Sequence, residues 1–181
     1  MRRLPVGVWL GCGKEVCQEE MMGIIRPLSL FVFIRDLKYM EITKALSALQ
    51  NDEPIVIRDK TFKPRKVEAV SLETGEKVYW ITSRDSVWLS LDPEGEEIIL
   101  FEDIDEELEP EDDIVVHGGE DYEFSYEGVA TMSQEEGGKV VSFKEYASAD
   151  GEIIRIMEEE STGEKSGAFG VKLTEEDLQM A

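Results

Sequence analysis

Histidine is almost missing from this 181-residue chain, with His117 the only one. Cysteine is nearly as scarce, and both examples, Cys12 and Cys17, fall within the first 20 residues. The rest of the chain therefore carries no disulfide framework, which suits a reducing cytoplasm. Structural zinc needs four ligands, usually as two closely spaced pairs. Here one Cys pair encloses Gly13-Lys14-Glu15-Val16 and its nearest histidine is far downstream, so these read as two ordinary thiols. No metal and no cofactor is expected.

Long apolar runs are also lacking. The best candidate, residues 23–34, is interrupted by Arg26 and Pro27, whereas a spanning helix needs about 20 consecutive apolar residues. Lys14, Glu15, Glu19 and Glu20 occupy the place where the apolar stretch of a signal peptide would run. The reading is of no membrane span and a cytoplasmic location.

Positive charge is the third scarcity. The formal net charge is −22, and it is uneven: residues 1–39 hold six basic and four acidic side chains, residues 40–181 hold 13 and 37. Such a surface repels phosphate backbones, which excludes nucleic acid, and attracts a basic protein, a polyamine or a metal cation. The break in charge and cysteine usage near Met40 sets residues 1–39 apart as an appended arm or an artefact of start-codon choice.

What the sequence does contain is apolar material for a core, 41% of residues. Ile42, Ala45, Leu46 and Leu49 recur at helical spacing and predict a short amphipathic helix over 41–50. From Pro54 onward the pattern is of strands. Ile55-Val56-Ile57, Val67 to Leu72, Val78 to Thr82, Val87 to Leu91 and Ile98 to Phe101 are rich in β-branched and aromatic residues. Thr74-Gly75 and Asp92-Pro93-Glu94-Gly95 mark turns between them. Alternation puts Trp80 on the same face as Val78. Thr174-Glu175-Glu176-Asp177 approaches a capping box and predicts a short final helix.

Several stretches then recur. Ile114-Val115-Val116 echoes Ile55-Val56-Ile57, and Gly137 to Val141 echoes Gly75 to Tyr79. Ala149 to Ile154 echoes Glu94 to Ile99. The order is consistent, as in an internal duplication. The expected fold is mainly β: two duplicated antiparallel β-units, as sandwich or partly closed barrel halves, with short flanking helices. The division is residues 1–39, then 40–112 with the helix and first repeat, then 113–181 with the second repeat and final helix. The acidic run from Glu102 to Asp113 between the copies reads as a solvated connection. It lacks the glycine of an EF-hand loop.

No catalytic constellation emerges. His117 precedes Gly118-Gly119 and reads as a turn residue. Gly163 to Gly170 lacks the Gly-Lys-Ser/Thr ending of a phosphate loop and lies beside Glu158, Glu159 and Glu160, so it reads as a loop between strands. With 41 acids, the sequence does not single out a glycosidase pair. Trp80 and Trp88 read first as core packing and in the alternative as an aromatic binding patch; with His117 they are the residues singled out for ligand binding.

The succession Glu76-Lys77-Val78-Tyr79-Trp80-Ile81, Val87-Trp88-Leu89-Ser90-Leu91, Tyr122 to Thr131, Val140 to Tyr146 and Ile153 to Glu158 resembles an uncharacterised prokaryotic family, domain of unknown function 4178. The resemblance spans roughly residues 50–172. It implies an accessory domain, with no catalytic residues to carry over. The leading expectation is a non-enzymatic interaction module whose acidic surface meets a protein partner of basic character, with edge strands able to form a homodimer. Two alternatives stand beside it: binding of a small cation, polyamine or divalent metal, between the repeats, and a carboxylate-dependent hydrolase. A pocket joining converging acids to Trp80 or Trp88 is the mark of cation binding. Two carboxyls raised in pKa beside an open cleft are the mark of hydrolysis.

Overall fold

The computed structural model describes residues 39–132 and 138–181. The expectations for the Cys12–Cys17 pair, for the apolar stretch 23–34 and for Gly137 fall outside these residues.

Helix α1 (Ile42–Gln50) buries Ile42, Ala45, Leu46 and Leu49, the residues whose spacing predicts it. A tight hairpin follows, β1 (Ile55–Ile57) and β2 (Lys60–Phe62), and then a four-stranded meander: β3 (Lys66–Leu72), β4 (Lys77–Thr82), β5 (Val87–Asp92) and β6 (Glu97–Ile104). Beyond the acidic connection come β7 (Ile114–His117), β8 (Glu120–Met132), β9 (Lys139–Ala147), β10 (Ile153–Glu159) and β11 (Lys165–Leu173), with β12 (Leu178–Met180) ending the chain.

Eight strands close into an antiparallel barrel in the order β3-β4-β5-β6-β11-β10-β9-β8. The seam is β8 against β3, with Val70 opposite Met132 and Leu72 opposite Ala130. The 13-residue length of β8 lets its first residues pair with β7 while its end closes the barrel. Closure satisfies the edge groups that an open sandwich would leave at its margins. The two stretches read as separate repeats thus share one sheet, and the partly closed halves are one closed structure.

Side-chain alternation assigns the interior. Val70, Val78, Trp80, Trp88, Ile99, Phe101, Ala130, Phe143, Ile153 and Ala168 form one buried cluster. The opposite faces of β4, β5 and β6 are buried too, because α1 and the sheet β12-β1-β2 pack on Ile81, Leu89, Leu91 and Ile98. Strands covered on both faces have no polar face to show, hence the near-continuous apolar runs. Val115 and Tyr122, from β7 and β8, cover Tyr146 and Ile154 in the same way.

Three expectations change. The final helix is a single 3-10 turn, Glu175–Asp177: its capping box forms, with Asp177 accepting from the Thr174 backbone N–H at 2.9 Å, but β12 then pairs with β1 and ends it. The stretch 163–170 is mostly strand β11. Gly170 is there for contact, since a Cβ on it would lie 2.5 Å from Cε1 of Phe101, whereas Gly163 stands in the open with φ of +69°. The resemblance of Ile98-Ile99 to Ile153-Ile154 joins unlike places, because β6 is the fourth strand of its meander and β10 the third of the run beginning with β8.

Candidate functional site

One mouth of the barrel opens into a cavity of about 280 Å³. An eight-stranded barrel is just wide enough to be filled by side chains or to hold one small ligand. Here the middle is filled and the mouth is not. Trp80 and Trp88 form part of its wall, each 6% exposed, with ring centroids 5.6 Å apart and planes at 52°. Met132 and Met157 add a flexible apolar lining. Four carboxylates converge on the same opening: Glu68 from β3, Asp103 from β6, Glu159 from β10 and Glu164 from the turn before β11. Lys139 is the one basic side chain in this wall.

The register explains the convergence. Glu68 faces Trp80 across β3 and β4, and Thr82 faces Trp88 across β4 and β5. Trp88 lies opposite Phe101 and stacks on it, centroids 4.1 Å apart and planes at 14°. Asp103, two residues beyond Phe101, shares its inward face.

Asp103 is bound to the aromatic wall, its Oδ1 accepting from Nε1 of Trp88 at 3.1 Å. Burial pushes its carboxyl above the ordinary range, the Trp88 bond opposes that, and the negative charge of Asp105 adds to the rise. A cation arriving there would offset the like charge of Asp105 and favour the ionised carboxylate. Glu159 lies on the other side of this balance. Nζ of Lys139 at 2.6 Å, with the Ser161 hydroxyl, holds its carboxyl below the usual value. Glu68 is paired with Lys66 at 2.7 Å. Asp103 and Glu164 have no ion-pair partner among the described residues.

Below the Trp pair, Arg155 projects from β10 into the interior and is 5% exposed. Its Nε donates to Oε1 of Glu145 at 2.8 Å, and Nη2 reaches the same oxygen. Its Cζ lies 4.3 Å from the Phe101 ring centroid and 5.1 to 5.7 Å from those of Phe143, Trp88 and Trp80. The rings meet the charge that Glu145 leaves over. Nη1 of Arg155 and Nε1 of Trp80 have no hydrogen-bond partner among the described residues.

Of the three residues singled out in the sequence, the structure brings two together. His117 lines a neighbouring recess with Asp105, Glu106 and Phe169, which has Asp103 in common with the mouth, and its Nδ1 lies 2.6 Å from Oε1 of Glu106. Gly118 and Gly119 follow it with φ of +61° and +88°, the two-residue turn that their sequence signals. Asp103 lies within the acidic run Glu102 to Asp113 that reads as a solvated connection, yet residues 102–104 still belong to β6. Its inward direction follows from strand alternation once β6 is extended past Phe101. Glu68, Glu164 and Arg155 carried no comparable signal, since their meeting depends on closure.

Among the described residues no group of three or more His, Cys, Asp or Glu side chains is arranged to hold a metal ion, and no helix is long and apolar enough to cross a membrane. Comparison with protein-family models, with curated proteins and with solved structures finds no match.

Proposed function

We propose that this protein binds a small organic cation, of the polyamine type, in the mouth of the barrel. The observation that carries the reading is the convergence of Trp80 and Trp88 with Glu68, Asp103, Glu159 and Glu164 on one cavity. An ammonium group gains from carboxylates in a partly desolvated setting, and its methylene chain gains from Met and Trp surface. The net charge of −22 supports the reading by drawing cations toward the molecule. Hydrolysis draws less support: Asp103 is raised by burial, but Glu159 across the cavity is held down by Lys139 and Ser161, the reverse of what a second raised carboxyl would need.

A second reading, the interaction module with a protein partner, draws on the acidic surface and on the short strand β7, where Ile114 and Val116 are exposed beside Asp121 and Glu123. We also read the hairpin-then-meander order, β1 to β6 and again β7 to β11, as an internal duplication, and retain the resemblance to domain of unknown function 4178 as part of this proposal.

The test is a thermal-shift panel on the full chain with putrescine, spermidine and Mg²⁺ at matched ionic strength. A ligand at a hundred times its dissociation constant adds about 2.7 kcal/mol of stability. The expected result is a saturable shift with a polyamine that Asp103→Asn and Glu164→Gln each reduce. Shifts that follow ionic strength alone would move the search to protein partners.

A further inference from the structure

We propose that a second site, the groove between the hairpin β1–β2 and the flank of the barrel, takes a singly charged anionic amphiphile: an aliphatic chain ending in a carboxylate.

The groove encloses about 490 Å³, within the range of pockets that hold a single small ligand. Its floor is the outer face of β5, β6 and β11. Elsewhere that face is sealed by α1 and the three-stranded sheet, but here Val87, Leu100, Phe169 and Val171 are left half-buried. Leu100 pairs with Leu89 on one side and Val171 on the other, so the apolar strip runs across adjacent strands.

The rim has the charge that the rest of the molecule lacks. Residues 58–66 hold Arg58, Lys60, Lys63, Arg65 and Lys66, five of the 13 basic side chains in residues 40–181. Arg58, Lys60 and Lys63 line the groove. Arg58 is engaged with Asp177 at 2.9 Å and fixes the hairpin. Lys60 and Lys63 form no ion pair among the described residues. Asp85 and Glu102 also line it; with Arg58 paired to Asp177, Lys60 and Lys63 are the cations left to meet a single carboxylate head, and a second negative charge would face the two acids. The contrast with the barrel mouth, four carboxylates to one lysine, gives the two sites ligands of opposite sign.

The recess favours a free amphiphile over a lipid surface. It is concave, and the surrounding acidic surface would repel an anionic bilayer.

The experiment titrates decanoate, acetate and decylammonium into the full chain by calorimetry, and co-sediments the protein with phosphatidylglycerol vesicles. Decanoate is expected to bind saturably at one site, with acetate and decylammonium at least tenfold weaker there. The double reversal Lys60→Glu/Lys63→Glu should weaken decanoate at least tenfold, and the milder Lys60→Gln/Lys63→Gln by a smaller factor, with polyamine response at the mouth unchanged in both. Equal decanoate binding by wild type and the Gln pair would overturn the proposal. So would tighter binding of decylammonium in the groove, or vesicle binding without free decanoate binding. The mouth plays no part in this outcome, so either site can fail alone.

Discussion

Arg155 shows what a single residue contributes to this barrel. A guanidinium loses several kcal/mol of hydration on entering a protein interior, and an ion pair alone often fails to restore it. Here burial pulls the Arg155 pKa down while Glu145 opposes it, and four aromatic rings complete its surroundings. Breaking a buried pair by removing one partner leaves an uncompensated charge. Glu145→Ala is therefore expected to lower unfolding free energy by about 3–5 kcal/mol, while Arg155→Met/Glu145→Leu should cost far less. Urea denaturation of the two variants would check this, and equal losses would show that packing rather than charge matters at the site. Nothing in the run Ile153-Ile154-Arg155-Ile156-Met157 reveals this in advance. An Arg among apolar residues reads equally well as solvent-facing, and only the rings on facing strands decide its direction.

Elements were the most legible scale. Strand alternation puts Trp80 with Val78, and helical spacing finds the buried face of α1. The C-terminal turn was half legible, for the capping box is local whereas the pairing of β12 with β1 is not. Asp177 links the two levels. Burial pushes its carboxyl up, but the Thr174 backbone N–H and Arg58 outweigh that and hold it below its ordinary range. A carboxyl depressed on folding contributes stability above its unfolded value, and that contribution fades as pH falls through the folded pKa. Asp177→Asn should accordingly cost about 0.5–1 kcal/mol near neutral pH, discounted for solvent screening. The difference from wild type should shrink below about pH 4. Paired denaturation curves across pH 3–7 test it, and a pH-independent difference would remove the charge from the explanation.

For the whole molecule, the net charge of −22 is the dominant long-range term. Self-repulsion destabilises a compact chain, and the Debye length shrinks from about 30 Å at 0.01 M salt to about 3 Å at 1 M. Among the described residues every ion pair but Arg155–Glu145 has at least one well exposed partner and contributes little, so screening should help more than it harms. The melting temperature is expected to rise as NaCl increases over that range. A fall in thermal melts would mean that the ion pairs outweigh the repulsion. The same charge explains why two patches matter: one concentrates carboxylates at the barrel mouth, the other gathers lysines beside an apolar groove.

Taken alone, the sequence determined the β class, the strands of the first meander from Val67 to Phe101, the helix α1 and the facing of Trp80, because each rests on local periodicity and backbone preference; it did not show β2, β11 or β12. It also determined the overall sign of charge, which composition sets directly. The tertiary structure alone decided that two meanders close into one barrel, since pairing β8 with β3 joins residues some 60 positions apart. With that closure it decided which few of 41 acids meet the tryptophans. Carboxylates are chemically alike along a chain, and only the register of strands distant in sequence can distinguish those facing a cavity from those facing water.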